Sequence, residues 1–222
     1  MNLEMVESLT QAICEADRVK AAEILNNFVK HASIESCMHD LLDPSLEKIG
    51  ALWDSGSNVS LAQAYVASKI TEDFLTSHSS DDQNPINHIK GTIILGNAED
   101  DFHSLGRSMV SIFLRSAGWQ IIDLGNDVLA EQFVDAAELH HATLIGVSAM
   151  MYTTAINIAK VRECIDKRNL SGSIKLLVGG AVFRLRPELM AEVGADGTAH
   201  NAIKAPELCS ALSQAGAARI SL

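Results

Sequence analysis

The residues Asp101-Phe102-His103-Ser104-Leu105-Gly106 combine types that do chemistry. A histidine stands two residues after an acid and three before a glycine. It follows an apolar run at 92–95 and precedes an amphipathic stretch at 107–116. That is a strand-to-helix junction, where open α/β sheets bind their ligands. An imidazole presented there, with a carboxylate holding its second nitrogen, can coordinate a metal or move a proton. Alone, so short a pattern also fits a surface histidine after a helix-capping Asp101. Two further features narrow the choice. An apolar run at 144–147 leads into Ser148-Ala149-Met150, and one at 176–178 leads into Gly179-Gly180. All three sit at C-terminal ends of expected strands and so converge on one rim, where hydroxyls and bare glycine backbone admit a large ligand.

The elements that must position these residues follow from hydrophobic period. Residues 1–78 read as helix, with apolar residues at Leu3, Val6, Leu9 and Ile13, then at Ala21, Ile24, Leu25 and Phe28. Asp17 is the expected cap between them. A third helix is expected over 34–53, broken or kinked at Pro44. A turn follows at 54–58, then a fourth helix over 61–75; short connections make this a small bundle. Residues 79–90 are polar with one proline and read as a linker, expected to be mobile. Beyond it strands are expected at 92–96, 120–124, 144–148, 175–178 and, weakly, 196–199. Helices alternate with them at 104–117, 129–141, 154–169, 186–193 and 201–214. Five such units in residues 91–222 imply a doubly wound, flavodoxin-like (Rossmann-like) parallel sheet.

Composition removes several function classes. The chain has 222 residues, 47% of them hydrophobic, so a substantial core is expected rather than disorder. A formal charge of −11 with no basic stripe argues against a nucleic-acid partner. No apolar run approaches a membrane span, and the acidic start Met1-Asn2-Leu3-Glu4 is not a secretory signal. Cys14, Cys37, Cys164 and Cys209 are scattered without a CxxC pair and read as reduced cytoplasmic thiols.

DxHxxG, SxL and GG, in that order and spacing, are the signature of the cobalamin-binding domains of methionine synthase, adenosylcobalamin mutases and corrinoid methyl-carrier proteins. This chain resembles them with DFHSLG, then 41 residues, Ser148-Ala149-Met150, then 28 residues, and Gly179-Gly180. The helical half, with Ile49-Gly50-Ala51-Leu52-Trp53-Asp54-Ser55-Gly56, resembles the four-helix cap of methionine synthase and methyl-carrier proteins. Mutases generally lack that cap. The resemblance implies a corrinoid protein that binds cobalamin base-off and His-on, carrying a methyl group as methylcobalamin and cycling through cob(I)alamin and cob(II)alamin. His103 would be the lower axial ligand of cobalt. Asp101 would hold its other ring nitrogen, and Thr154 would extend the relay. Ser148 would bind the displaced nucleotide tail. Gly106, Gly179 and Gly180 would leave room for the tail and corrin edge, with Ser104 and Met150 beside them. Trp53 would cover the upper face, ordinary bundle packing being the alternative.

The implied partners are a substrate-specific methyltransferase, an acceptor methyltransferase and a reductive activator, with no nucleic acid or membrane. No catalytic residue or complete substrate site is implied on this chain. Methanol, methylamines and aryl methyl ethers are equally open as methyl donors. A cobalamin-sensing or storage protein and a flavodoxin-like signalling domain are the alternatives. Four departures from the family pattern stand out: Asp100 where Gly is usual, Met150 for Leu, Val59-Ser60-Leu61 in place of Phe-Leu-Pro, and Gln63-Ala64 where light-sensing relatives carry Glu-His. His140-His141, His200-Asn201, Arg184 and Arg186 carry weaker signals: a helix-end, a loop and a solvent-facing reading serve them equally.

Overall fold

The computed structural model describes residues 3–55, 59–78 and 90–220, in two compact units that divide between residues 88 and 89. The expected turn at 54–58 lies partly, and the expected linker at 79–90 almost wholly, outside the described residues.

The first unit is helical. Helix α1 (Leu3–Cys14) buries Val6, Leu9, Ala12 and Ile13, one stripe at helical spacing. Ala16, at φ 58°, ends it. Asp17 then caps α2 (Arg18–Val29) as expected, accepting the Lys20 N–H at 2.9 Å. The third expected helix is not broken at Pro44. Helix α3 (Ile34–Cys37) runs through a wide π turn (Met38–Leu42) directly into α4 (Asp43–Asp54). Pro44 offers no N–H to the preceding turn. The chain widens just before it, and Asp43 N–H bonds back to Met38. Helix α5 (Leu61–His78) buries Ala64, Ala67, Ile70 and Phe74.

Two of the family departures find a structural reason at the start of α5. Gln63 Oε1 accepts the Ser60 main-chain N–H at 2.7 Å, and Ser60 Oγ faces the Gln63 N–H at 3.4 Å, a capping box. The Gln63 amide also donates to the Cys14 carbonyl at 2.7 Å, tying α5 to the end of α1.

The second unit is a parallel five-stranded sheet in the order β2-β1-β3-β4-β5. Its strands are β1 (Thr92–Asn97), β2 (Gln120–Asp123), β3 (Leu144–Ser148), β4 (Lys175–Gly179) and β5 (Gly197–Thr198). Strand β1 is buried along its whole length after Thr92, which is why it reads as a continuous apolar run. Helices α6 (Ser104–Ser116) and α12 (Ala205–Ile220) cover one face over Ile93, Leu95, Leu144 and Leu177. Helix α7 (Ala130–Leu139), with α8 (Tyr152–Ala155) and α9 (Ile158–Lys167), covers the other over Ile94, Ile145, Leu176 and Val178.

The helix expected over 154–169 is thus two pieces. The gap at 156–157 turns Asn157 so that its amide reaches the Glu99 carbonyl at 3.3 Å. The helix expected over 186–193 is replaced by α10 (Ala181–Leu185) and α11 (Leu189–Glu192), with Pro187 between them. Strand order reverses between β2-β1 and β3-β4, so the cleft at the C-terminal ends of β1 and β3 is where the topology puts a ligand.

Candidate functional site

Asp101 is completely buried at this switch point and serves as a common acceptor. Its Oδ1 accepts the Asn97 amide at 3.0 Å and the His103 main-chain N–H at 2.9 Å, and the His103 ring Nδ1 lies at 3.3 Å. Its Oδ2 accepts the Met150 main-chain N–H at 2.7 Å and the Thr154 hydroxyl at 2.9 Å. Burial acts to raise the carboxyl pKa. The hydrogen bonds from Met150, His103 and Thr154 overcome it and hold Asp101 below the ordinary carboxylate value. The site therefore contains a buried, ionised carboxylate aimed at one imidazole nitrogen.

His103 opens α6 but its side chain caps nothing. The ring is 52% exposed, and Nε2 has no partner among the described residues. With Nδ1–H directed at Asp101, Nε2 is left as a lone-pair donor facing outward, the geometry of a metal-binding histidine.

Two loops hold this pair in place. Asp100 and Asp127 both adopt left-handed backbone, at φ 65° and 54°. The Asp100 N–H donates to Asp127 Oδ1 at 2.8 Å, and the Asp127 N–H donates to the Asp101 carbonyl at 3.1 Å. Arg107, nearly buried on α6, closes the same corner: it donates to the Gly125 carbonyl and lies 3.2 Å from both Asn126 Oδ1 and Asp123 Oδ1. The departure at Asp100 is thus a non-glycine residue in a conformation that favours glycine.

The three glycines separate into two kinds. A Cβ at Gly180, whose φ is 112°, would meet the Ala149 carbonyl oxygen at 1.9 Å, so the protein's own backbone demands glycine there. A Cβ at Gly106 or Gly179 would touch no protein atom within 4 Å, and neither has a positive φ. Glycine within a helix such as α6 costs about 0.5–1 kcal/mol relative to Ala. Nothing inside the described protein demands it at these two positions, which leaves space for something outside.

Around them, Phe102 (65% exposed), Leu105, Met150, Met151 and Tyr152 place apolar side chains at the surface. The Ser148 hydroxyl, half-buried at the end of β3, has no partner among the described residues. A ring nitrogen without a partner, an unengaged hydroxyl, two empty glycine positions and an apolar rim fit a large flat apolar metal macrocycle with a polar tail.

The structure brings together Asp101, His103, Ser104, Gly106, Ser148, Met150, Thr154, Gly179 and Gly180. Met150 contributes through its main-chain N–H. Trp53 lies in the helical unit, half-buried near the end of α4. Sequence reasoning missed Asn97, Arg107 and Asp127. An asparagine ending a buried strand was the available signal for the first; Arg107 and Asp127 carry none. Burial pushes the Cys37 and Cys209 thiols up to about 12, so neither is a thiolate at neutral pH.

Comparison with known proteins identifies the family. Residues 91–207 match one B12 binding domain family and residues 5–76 a second one. A corrinoid protein of Desulfitobacterium hafniense (strain Y51) is 31% identical over 212 residues, covering 94% of this chain and 97% of that protein. Dimethylamine corrinoid protein 2 of Methanosarcina mazei is 30% identical over 208 residues, covering 91% and 94%. Among solved structures, the methanol:cobalamin methyltransferase complex MtaBC of Methanosarcina barkeri superposes with a TM-score of 0.68 at 21% identity, covering 96% of this chain and 81% of that one. The chain belongs to the B12-binding family of corrinoid proteins, and its cofactor is cobalamin.

Proposed function

We propose that this protein is a methyl carrier, loaded by one methyltransferase and unloaded by another. The observation that carries the reading is the Asp101–His103 pair, with Nε2 left free beside two glycines that the described protein does not itself require. Bound cobalamin would supply a nucleophilic cobalt able to accept and surrender a methyl group. His103 Nε2 would ligate that cobalt while Asp101 fixes the ring through Nδ1–H. Thr154 and the Met150 N–H keep Asp101 ionised and in place. Ser148, with Ser104 beside the helix start, would bond the polar tail, and Gly106 and Gly179 would admit it. Gly180 would bring the β4 end close to β3. Trp53 would cover the reactive face.

One relative is named a dimethylamine corrinoid protein, and one structural neighbour is a methanol:cobalamin methyltransferase complex. They support a small methylated donor, such as a methylamine or methanol, held by a partner methyltransferase; an aryl methyl ether is a donor of the same class. An acceptor methyltransferase and a reductive activator would complete the set. Among the described residues no helix is long and apolar enough to cross a membrane, and a cytoplasmic setting accords with the reduced cysteines.

The test is incubation with hydroxocobalamin, reduction to the cob(II)alamin state, desalting and electron paramagnetic resonance. Retained corrin with nitrogen coupling that disappears in His103→Ala is the expected result. Nitrogen coupling that persists in that variant sinks the ligand assignment.

A further inference from the structure

We infer that Asn97 is a positioning residue that limits how strongly Asp101 grips the His103 ring, and so sets the donor strength of that imidazole; this rests on the carrier reading above. Asn97 is fully buried at the end of β1, in register with Ser148 on β3. An ionised carboxylate only accepts, so the Asn97 amide must turn its Nδ2 toward Asp101. That orientation leaves Asn97 Oδ1 buried with no hydrogen-bond partner. An orphaned buried carbonyl is destabilising, because it has given up its water for no partner. An apolar side chain at this strand position would avoid it, so the amide stands there for its donation to Asp101.

The effect of that donation follows from the lone pairs available. A carboxylate oxygen offers two good acceptor directions. Three donors converge on Oδ1. The His103 main-chain N–H and the Asn97 amide hold the shorter positions, at 2.9 and 3.0 Å, while the ring Nδ1 is left at 3.3 Å, beyond the usual range. Asn97 therefore occupies the acceptor site that the ring would otherwise use. A ring that shares its Nδ1–H only weakly with a carboxylate is a weaker ligand through Nε2.

Removal of the amide tests this. Asn97→Leu and the smaller, strand-compatible Asn97→Thr are compared with the unmodified protein by two readouts. In apoprotein, the His103 ring Nδ1 proton, identified by its loss in His103→Ala, is followed by NMR; it should move downfield in both variants as the bond to Asp101 shortens. In protein carrying cob(II)alamin, the one-electron midpoint should move negative, because a stronger lower ligand favours the ligated, more oxidised state. A roughly tenfold gain in ligation corresponds to about 59 mV. In a His103→Ala background, Asn97→Leu should leave the midpoint unmoved.

A ring proton that stays put in both variants overturns the inference, whether or not corrin is retained. An equal midpoint shift without His103 overturns it too, by showing an effect on the fold alone. An unmodified protein that retains no corrin overturns the carrier reading instead, and the ring proton then decides the role of Asn97.

Discussion

Replacing Asp101 by Asn keeps the shape of the buried side chain and removes its charge, and its effect can be worked from the hydrogen bonds. The new amide must take the place of one oxygen. Placed at Oδ2, it confronts the Met150 N–H, which cannot turn away, while Thr154 keeps the Met151 carbonyl at 3.0 Å as an alternative. Placed at Oδ1, it confronts the His103 N–H, but Asn97 can flip and present the oxygen that is orphaned in the unmodified protein. The second arrangement is the cheaper. Either way one main-chain donor is left without a partner, at about 1–3 kcal/mol, and the surviving bonds lose their charge assistance. The expected loss is about 2–4 kcal/mol at pH 7.

The sign of the pH dependence follows from the same bonds. The folded pKa of Asp101 is depressed below its ordinary 3.8. The stability it contributes is therefore fully present above pH 4 to 5 and is lost as pH falls through the folded value. The gap between the unmodified protein and Asp101→Asn should stay constant from pH 7 to 5 and shrink below 4. Urea unfolding followed by fluorescence measures this. A Trp53→Phe background isolates the buried Trp119 of the α/β unit as the reporter. A gap below about 0.5 kcal/mol at pH 7, or one that persists unchanged to pH 3, would refute the account of Asp101 as a strongly satisfied carboxylate.

Three other expectations concern backbone. Gly180→Ala should destabilise the apoprotein by about 3 kcal/mol or more, because its Cβ would enter the Ala149 carbonyl. Gly106→Ala and Gly179→Ala should leave thermal unfolding of the apoprotein unchanged or slightly raised yet weaken corrin retention on a desalting column. Asp100→Gly should stabilise by up to about 1 kcal/mol in urea unfolding, since φ is 65° there, with corrin retention intact.

The sheet was legible because its central strands are largely buried apolar runs, and the expected strands 92–96, 120–124, 144–148 and 175–178 each agree with an observed one to within a residue. Elements set by local exceptions were not. The five residues of α10 are too few for a helical period to register, and the π turn before Pro44 answers a missing N–H that pattern alone reads as a break. At the site, Asp101 and His103 were legible as a pair two residues apart. The Met150 contribution was invisible, since a main-chain N–H carries no residue signature. Ser60 and Gln63 looked like departures from a ligand-facing pattern until the structure placed them in a helix cap. The roles of Asn97 and Asp127 depend on which loops meet in three dimensions.

The two donors that satisfy Asp101 Oδ2 come from far along the chain: Met150 is 49 residues away and Thr154 is 53. They reach it only when β1 and β3 already lie side by side. The carboxylate is therefore expected to surrender its water late in folding, after that non-local pairing has closed. A metal-templated domain such as a zinc finger folds only as it binds, and starvation for its metal leaves an open chain. Here the donors to Asp101 are all supplied by the protein itself, so the sheet is expected to close without the cofactor, and scarcity of corrinoid should leave a reserve of folded, empty carrier ready to be charged when supply returns.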